Sequence, residues 1–207
     1  LYNMVDSIFI GQGVGPLAIS GLAVTFPLMN LSTAFGTLVG AGAATMLSVL
    51  LGQKNYKAAN KVLGNVVSLN IILGVLFMIA ALVFIDPILY FFGASENTLP
   101  YAKDYMKIIL YGNIITHLYF GLNAQMRSSG FPKKAMMLTI FTVVLNTILD
   151  PIFIFTFDMG IKGAAWATVI SQTASLVIVM RHFSDKSRGL HFEKGIIRLD
   201  WRIANES

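Results

Sequence analysis

The 207-residue chain is 56% hydrophobic and only 12% charged, whereas a soluble domain carries about 25% charged residues. Its mean hydropathy is +0.71, so much of its exterior is expected to face lipid, which argues against an ordinary soluble enzyme. The sequence contains no cysteine, which excludes disulfides and thiolate metal sites, and its three histidines offer little material for a zinc site.

Long segments without ionisable residues predict six membrane-spanning helices. A bilayer core of about 30 Å requires roughly 20 apolar helical residues. The predicted helices cover residues 1–10, 17–51, 62–85, 105–126, 135–157 and 163–182. Strands of membrane barrels alternate polar and apolar residues, and these segments do not. We therefore predict an all-α, polytopic membrane helix bundle.

The first two predicted helices have unusual lengths. The first has only about ten residues before Gly11, half of a crossing, so we expect this helix to be truncated and the chain to be part of a longer protein. The second would be about 50 Å long if helical throughout. It is therefore expected to tilt, to bend at Pro27 or to extend beyond the membrane.

Basic residues are concentrated after the second, fourth and sixth predicted helices. They are Lys54, Lys57, Lys61, Arg127, Lys133, Lys134, Arg181, Lys186, Arg188, Lys194, Arg198 and Arg202. The opposite side has only Lys103, Lys107 and Lys162, each near acidic residues. Because basic loops stay in the cytoplasm, the first helix is expected to run outward in a multi-pass protein of the cell (inner) membrane. Contact of these loops with anionic lipid explains the net charge of +5, so the charge does not require that the protein bind nucleic acid.

The tail after the sixth predicted helix has a different pattern. Residues 184–207 alternate bulky apolar residues with basic ones, as an interfacial helix or connector does. The sequence thus predicts two parts, a six-helix transmembrane lobe at residues 1–183 and a cytoplasmic connector at residues 184–207.

Two acidic residues lie inside predicted membrane helices. Asp6 and Asp150 both begin an Asp-x-Ile-Phe-Ile segment, and an acid at the centre of a membrane helix costs about 2.5–3.5 kcal/mol. Each follows an asparagine by one helical turn, Asn3 and Asn146, so each amide shares a face with its carboxylate. We expect two small clusters of oxygen atoms in the outer half of the membrane.

Pro151 adds to the second cluster, because a proline inside a helix leaves the carbonyl of Thr147 without its donor. Carboxylate, amide and carbonyl oxygens suit a hard cation such as Na⁺, and a proton needs only the carboxylate. The alternative is structural, with Asp150 beginning an outer loop and Asp6 meeting headgroup water.

Polar stripes on two other predicted helices favour helix packing. Thr168, Ser171, Gln172 and Ser175 share one face of the sixth helix, and such contacts more often join membrane helices than bind substrates. On the fourth helix, His117 is a weak candidate for a proton relay.

These residues resemble the multidrug and toxic compound extrusion (MATE) family, in its prokaryotic DinF-related branch. The resemblance covers nearly the whole chain. It is carried by residues 2–11, 27–29, 36, 40–42, 51–52, 127–130, 146–154 and 163–168. It implies a transporter of twelve helices in two lobes, of which this chain is the amino-terminal lobe. A carboxy-terminal lobe of the same chain is then an expected partner.

The resemblance also implies an activity and a site. The expected function is antiport, with export of cationic lipophilic drugs in exchange for H⁺ or Na⁺, without a cofactor or enzymatic activity. The implied cation site consists of Asp6, Asn146, Asp150 and Thr168. Further polar candidates are Tyr2, Asn3, His117 and Gln172, and Pro27 and Pro151 are candidate helix kinks.

Two other functions stay open on the sequence. A flippase for lipid or lipid-linked oligosaccharide from the same superfamily would favour basic residues within the membrane for its anionic cargo, and none lies at the middle of a predicted helix. A membrane scaffold without transport activity is the other alternative.

Overall fold

A computed structural model describes residues 2–187 and 189–192, with side chains from Asp6 onward. Within these residues it contains eight α-helices, one π-helical turn and no strand, which confirms the all-α prediction. The helices are α1 (Tyr2–Gly13), α2 (Pro16–Gly52), α3 (Tyr56–Val83), α4 (Ile85–Phe91), α5 (Leu99–Tyr111), α6 (Asn113–Ser128), α7 (Pro132–Pro151) and α8 (Ile161–Ser184), with the π-helical turn at Ile152–Thr156. Most of the predicted connector, residues 193–207, lies outside the described residues, as do the side chains of Tyr2 and Asn3.

Four helical segments of the described chain are long and apolar enough to cross a bilayer. They are α2, α3, α8 and the segment Pro132–Thr156, which joins α7 to the π-helical turn. α2 has 37 residues, about 55 Å at 1.5 Å per residue, and so exceeds the bilayer core. Pro27 lies inside α2, which runs from Pro16 to Gly52 as one helix, so bending at Pro27 stays a prediction.

The prediction of one continuous fourth helix at residues 105–126 is wrong in where the helix begins and in its continuity. The structure has two helices here, α5 from Leu99 and α6 up to Ser128, which meet at Gly112. A Cβ atom at Gly112 would lie 2.6 Å from Cγ2 of Val169, so the glycine allows α8 to pack against the junction. The short helix α4 was not predicted either, because its seven residues merge with the apolar end of α3.

The helices enclose two hydrophobic clusters, one at each end of the bundle. The first includes Leu22, Tyr105 and Met106. The second includes Leu63 and Phe183 and lies where the basic residues are concentrated. We refer to this second side as the basic end. On α2, α3, α6, α7 and α8 alike, buried polar residues separate the two clusters: Ser32, Asn70, Asn113, His117, Thr142 and Ser175.

The polar residues between the clusters join neighbouring helices. Ser32 of α2 donates a hydrogen bond to the side-chain oxygen of Asn113 on α6, and Nδ2 of Asn113 donates to the Gly74 carbonyl on α3 at 3.0 Å. The hydroxyls of Thr142 and Ser175 lie 2.5 Å apart between α7 and α8. Apolar side chains are as well accommodated by lipid as by a neighbouring helix, so the hydrophobic effect does not drive membrane helices together. Polar contacts such as these therefore help to hold the bundle together.

The exterior of the bundle is apolar where a bilayer would surround it. Leu38 of α2, Leu76 of α3 and Met137 of α7 are 67%, 58% and 66% exposed. A protein surrounded by water rarely exposes such extended apolar faces. The exposed faces and the buried polar residues therefore indicate an integral membrane protein.

We predict that Gly21→Ala destabilises the bundle. A Cβ atom at Gly21 would lie 2.8 Å from Cβ of Tyr101 and 3.0 Å from the Thr98 carbonyl oxygen, so α2 and α5 must separate, at a cost of about 1–3 kcal/mol. The measurement is the unfolding temperature of the purified protein in detergent. Gly52→Ala is the control, because nothing lies within 4 Å of a Cβ atom there. Equal stability of the two variants would contradict the close contact.

Candidate cation-binding site

The two acidic residues meet inside the bundle. Asp6 of α1 and Asp150 of α7 are both 0% exposed, and their carboxyl groups are close enough to interact directly. A charged carboxylate is only an acceptor of hydrogen bonds, so two charged carboxylates in one buried place repel each other. Such a pair is stable when it holds a proton or a cation.

Asn146 connects Asp150 to helix α8. Its Nδ2 atom donates hydrogen bonds to Oδ1 of Asp150 at 3.2 Å and to Oγ1 of Thr168 at 3.3 Å. Asn146 precedes Asp150 by four residues, so the helical period places both side chains on the face of α7 that is turned towards α8. The structure thus brings Asp6, Asn146, Asp150 and Thr168 into one cluster, which we call the acidic cluster.

A tyrosine that the sequence analysis missed also belongs to the acidic cluster. The buried hydroxyl of Tyr105 on α5 donates a hydrogen bond to Oδ2 of Asp6 at 3.0 Å. Tyr105 lies 99 residues from Asp6 and carries no local motif. Only the packing of α5 against the rest of the bundle reveals it.

Three oxygen atoms of the acidic cluster accept no hydrogen bond from the described residues. They are Oδ1 of Asp6, Oδ1 of Asn146 and Oδ2 of Asp150, and all three are buried. Buried acceptors without a donor are costly, and carboxylate and amide oxygens are the ligands that hard cations prefer. The oxygens of the cluster therefore fit H⁺ or Na⁺. Among the described residues, no group of three His, Asp or Glu side chains offers a metal site.

The helix changes its winding directly after the acidic cluster. α7 ends at Pro151 and continues as the π-helical turn Ile152–Thr156, where the amide of Phe157 donates to the carbonyl of Ile152 at 3.0 Å. Such π-helical turns often occur at functional sites. The kink predicted at Pro151 stays a prediction, but the local geometry allows α7 to bend next to Asp150.

A cavity of about 220 Å³ lies beside the acidic cluster. Helices α2, α5, α6 and α8 form its walls, with Met29, Asn30, Phe120, Thr168 and Gln172 among the lining residues. Thr168 therefore contacts both the acidic cluster and the cavity. Gln172 accepts a hydrogen bond from the hydroxyl of Thr116 on α6 at 2.5 Å, so it both lines the cavity and joins two helices.

His117 lies apart from the acidic cluster. Its Nε2 atom is 3.2 Å from Oγ of Ser32, and its ring lies 6.3 Å from the ring of Phe77. Gly36 of α2 leaves room for it, since a Cβ atom there would lie 3.1 Å from Cα of His117. These contacts place His117 in the packing of α2, α3 and α6, so its role as a proton relay stays a prediction.

Comparison with known proteins gives consistent results. The family model described as MatE matches residues 1–152. The multidrug export protein MepA of Staphylococcus aureus (strain MRSA252) is 34% identical over 187 residues, which are 90% of this chain and 42% of MepA. MepA of Staphylococcus haemolyticus (strain JCSC1435) is 33% identical over 192 residues, which are 93% of this chain and 42% of that protein.

Solved structures resemble the fold over its whole length. One is described as the inward-facing conformation of a multidrug resistance MATE family transporter of the MOP superfamily. It matches with a TM-score of 0.93 and 26% identity, and the match covers 99% of this chain and 47% of that one. The chain therefore spans less than half the length of the proteins that it matches.

We predict that Tyr105→Phe destabilises the protein more than Tyr119→Phe. The Tyr105 hydroxyl donates to an acidic group, and a hydrogen bond to a charged group contributes about 1.5–3 kcal/mol. Tyr119 is equally buried, but its oxygen accepts from the neutral hydroxyl of Thr142, which contributes about 0.5–1.5 kcal/mol. Thermal unfolding of the two purified variants measures the difference, and equal losses would contradict a charged partner at Tyr105.

Proposed function

This chain belongs to the MatE family, whose members are transporters rather than enzymes, and from that premise we propose that it is the amino-terminal lobe of a secondary antiporter. The antiporter exports cationic, lipophilic drugs and takes up H⁺ or Na⁺ in exchange. The observation that carries this proposal is the pair of buried acids, Asp6 and Asp150, in one cluster beside a cavity.

The acid pair provides the binding site for the coupling ion. With H⁺ or Na⁺ bound, α1 and α7 can remain in contact through Asp6 and Asp150. Without the ion, repulsion between the two carboxylates favours an arrangement in which they separate or meet water. An ion that binds one arrangement better than the other shifts the equilibrium between them. Each positive charge that enters down a potential of 100 mV supplies about 2.3 kcal/mol.

Thr168 links the ion to the substrate. Its hydroxyl accepts from Asn146 of the acidic cluster, and its side chain lines the cavity. A change in the acidic cluster therefore reaches the cavity wall through one hydrogen bond. The π-helical turn after Pro151 is the joint at which α7 bends as the ion enters or leaves.

The lining of the cavity favours a lipophilic substrate without negative charge. Met29 and Phe120 supply apolar and aromatic surface, and Asn30 and Gln172 supply amide groups. Among the described residues, no lysine or arginine lines the cavity, which disfavours an anionic lipid-linked cargo. Several relatives are named multidrug export proteins, and this name agrees with a cavity that has few directional contacts.

The distribution of basic residues supports the orientation. The basic end of the bundle faces the cytoplasm by the positive-inside rule, so the protein is a multi-pass protein of the cell (inner) membrane. On this proposal residues 1–183 form the lobe, and residues 184–207 connect it on the cytoplasmic side to a second, carboxy-terminal lobe.

We predict that Asp6→Asn and Asp150→Asn each abolish drug efflux by the full-length protein. Asparagine keeps the shape of the side chain but cannot bind a proton or supply a carboxylate. The measurement is efflux of an ethidium-like dye from cells, with the amount of protein in the membrane determined in parallel. Asp158→Asn is the matched control, because Asp158 is exposed and outside the acidic cluster. Wild-type efflux by either cluster variant would refute the assignment.

The identity of the coupling ion is tested in proteoliposomes that contain the full-length protein. A gradient of Na⁺ and a gradient of pH are imposed in turn, and dye movement is followed. We expect one of the two gradients to drive dye transport against its concentration gradient, and Asp150→Asn to remove that response. If neither gradient drives dye movement, the result would contradict antiport and favour the scaffold. Movement of a fluorescent lipid without movement of dye would favour the flippase.

A further inference from the structure

A second cavity lies at the basic end of the bundle, far from the acidic cluster. Its volume is about 320 Å³. Tyr56 at the start of α3, Ser129 and Phe131 between α6 and α7, and His182 at the end of α8 are among its lining residues. Half of its lining residues carry an aromatic or imidazole ring, and we call it the aromatic pocket.

The chain that follows α8 folds back and closes one side of the aromatic pocket. The amide of His191 donates to Oδ1 of Asn60 on α3 at 3.0 Å, and the amide of Phe192 donates to the carbonyl of Phe183 at 2.8 Å. Leu190 is buried. A Cβ atom at Gly189 would lie 2.7 Å from the ring of Tyr56. The pocket is therefore a built feature of the fold rather than a gap between loops.

Exposed basic residues lie close in sequence to the residues that line the aromatic pocket. Its walls are formed by the end of α2, the start of α3, the turn between α6 and α7, and the end of α8. Each of these segments carries an exposed lysine or arginine within three residues of a lining residue: Lys54, Lys57, Arg127, Lys133, Lys134, Arg181 and Lys186. The Nζ atom of Lys134 lies 5.2 Å from the centre of the Phe131 ring, so this charge faces the wall of the pocket.

Among the described residues, the lysine and arginine side chains near the pocket form fewer ion pairs than those at the opposite end. There Lys103 pairs with Asp86 at 2.7 Å, and Lys162 pairs with Asp104 at 3.2 Å. Within the described part of the chain, Lys57, Lys134 and Arg181 form no ion pair with a carboxylate. The neighbouring carboxylate of Asp185 accepts hydrogen bonds from Ser187. The basic end thus has a surplus of positive charge around a pocket with aromatic walls.

We propose that the aromatic pocket binds the headgroup of an anionic phospholipid from the adjoining leaflet. The phosphate meets the surrounding lysine and arginine side chains, and the glycerol and upper acyl chain lie against Tyr56 and Phe131. Basic pockets between membrane helices bind such headgroups, and basic residues near an anionic membrane add to the attraction. A lipid held there contacts the ends of α3, α7 and α8 together and so stabilises their arrangement. The proposal is independent of the coupling ion and of the drug.

The test compares the binding of two lipids to the full-length protein. Phosphatidylglycerol or phosphatidylcholine is added to the delipidated protein in detergent, and the bound lipid is counted by native mass spectrometry. We expect phosphatidylglycerol to remain bound and to raise the unfolding temperature, with phosphatidylcholine doing neither. Equal retention of both lipids would overturn the proposal. Inorganic phosphate is added as a competitor, and equal stabilisation by phosphate alone would show an anion site rather than a lipid site.

Two sets of variants locate the lipid. The double variant Lys57→Gln, Lys134→Gln is expected to lower the affinity for phosphatidylglycerol about thirtyfold, since each charge near an anionic membrane contributes a factor of about five. The control double variant Lys107→Gln, Lys162→Gln removes the same charge from the opposite end and is expected to retain the lipid. Ser129→Phe fills the pocket without changing the charge and is expected to displace the lipid. Retention by Ser129→Phe, or equal losses in the two double variants, would overturn the proposal. A single cooperative unfolding transition of the purified Ser129→Phe variant in detergent is the check that it is folded.

Discussion

Asp6 and Asp150 place two carboxyl groups in one buried site, and this determines which polar residues the bundle must place beside them. An acid in the membrane interior costs about 2.5–3.5 kcal/mol, and a second acid beside it adds repulsion. The bundle offsets this cost with Tyr105, which donates to Asp6, and with Asn146, which donates to Asp150. Three oxygens still lack a donor among the described residues. On the proposed function, a small cation supplies the missing partner of these oxygens, and this makes the site suitable for coupling.

The position of the buried polar residues follows from the lipid that surrounds the bundle. Lipid surrounds the bundle, so an apolar core alone would not define how the helices pack. On each long helix a buried polar segment lies between two apolar ones, and contacts such as Thr142 with Ser175 fix the register of neighbouring helices. The acidic cluster lies next to the apolar cluster that contains Tyr105 and Met106, at a distance from the basic end. A change of charge at the acidic cluster therefore acts on one end of these helices, while the second hydrophobic cluster holds their other ends together.

The sequence predicted the parts that depend on local periodicity. The spacing of Asn146 and Asp150 places both side chains on one helical face, and the repeated Asp-x-Ile-Phe-Ile segment indicated that Asp6 is its counterpart. Tyr105 could not be found in this way, because its contact with Asp6 depends on how α5 packs. The break at Gly112 was also missed, because the reason for it is Val169, a residue on another helix. Long charge-free segments predict that helices exist, but they do not show where packing interrupts them.

On the proposed function, the ion site and the substrate cavity share Thr168, which limits the ways in which ion and substrate can be coupled. Thr168 belongs to the acidic cluster and also to the wall of the cavity, and Gln172, one turn later on α8, connects that wall to α6 through Thr116. On that proposal, a shift of Asn146 towards an incoming ion changes its hydrogen bond to Thr168, and Gln172 lies one turn further along the same helix. Coupling by direct contact along one helical face requires no long pathway. It does require that the cavity remain closed to bulk water at the acidic cluster, and the complete burial of Asp6 and Asp150 meets that condition.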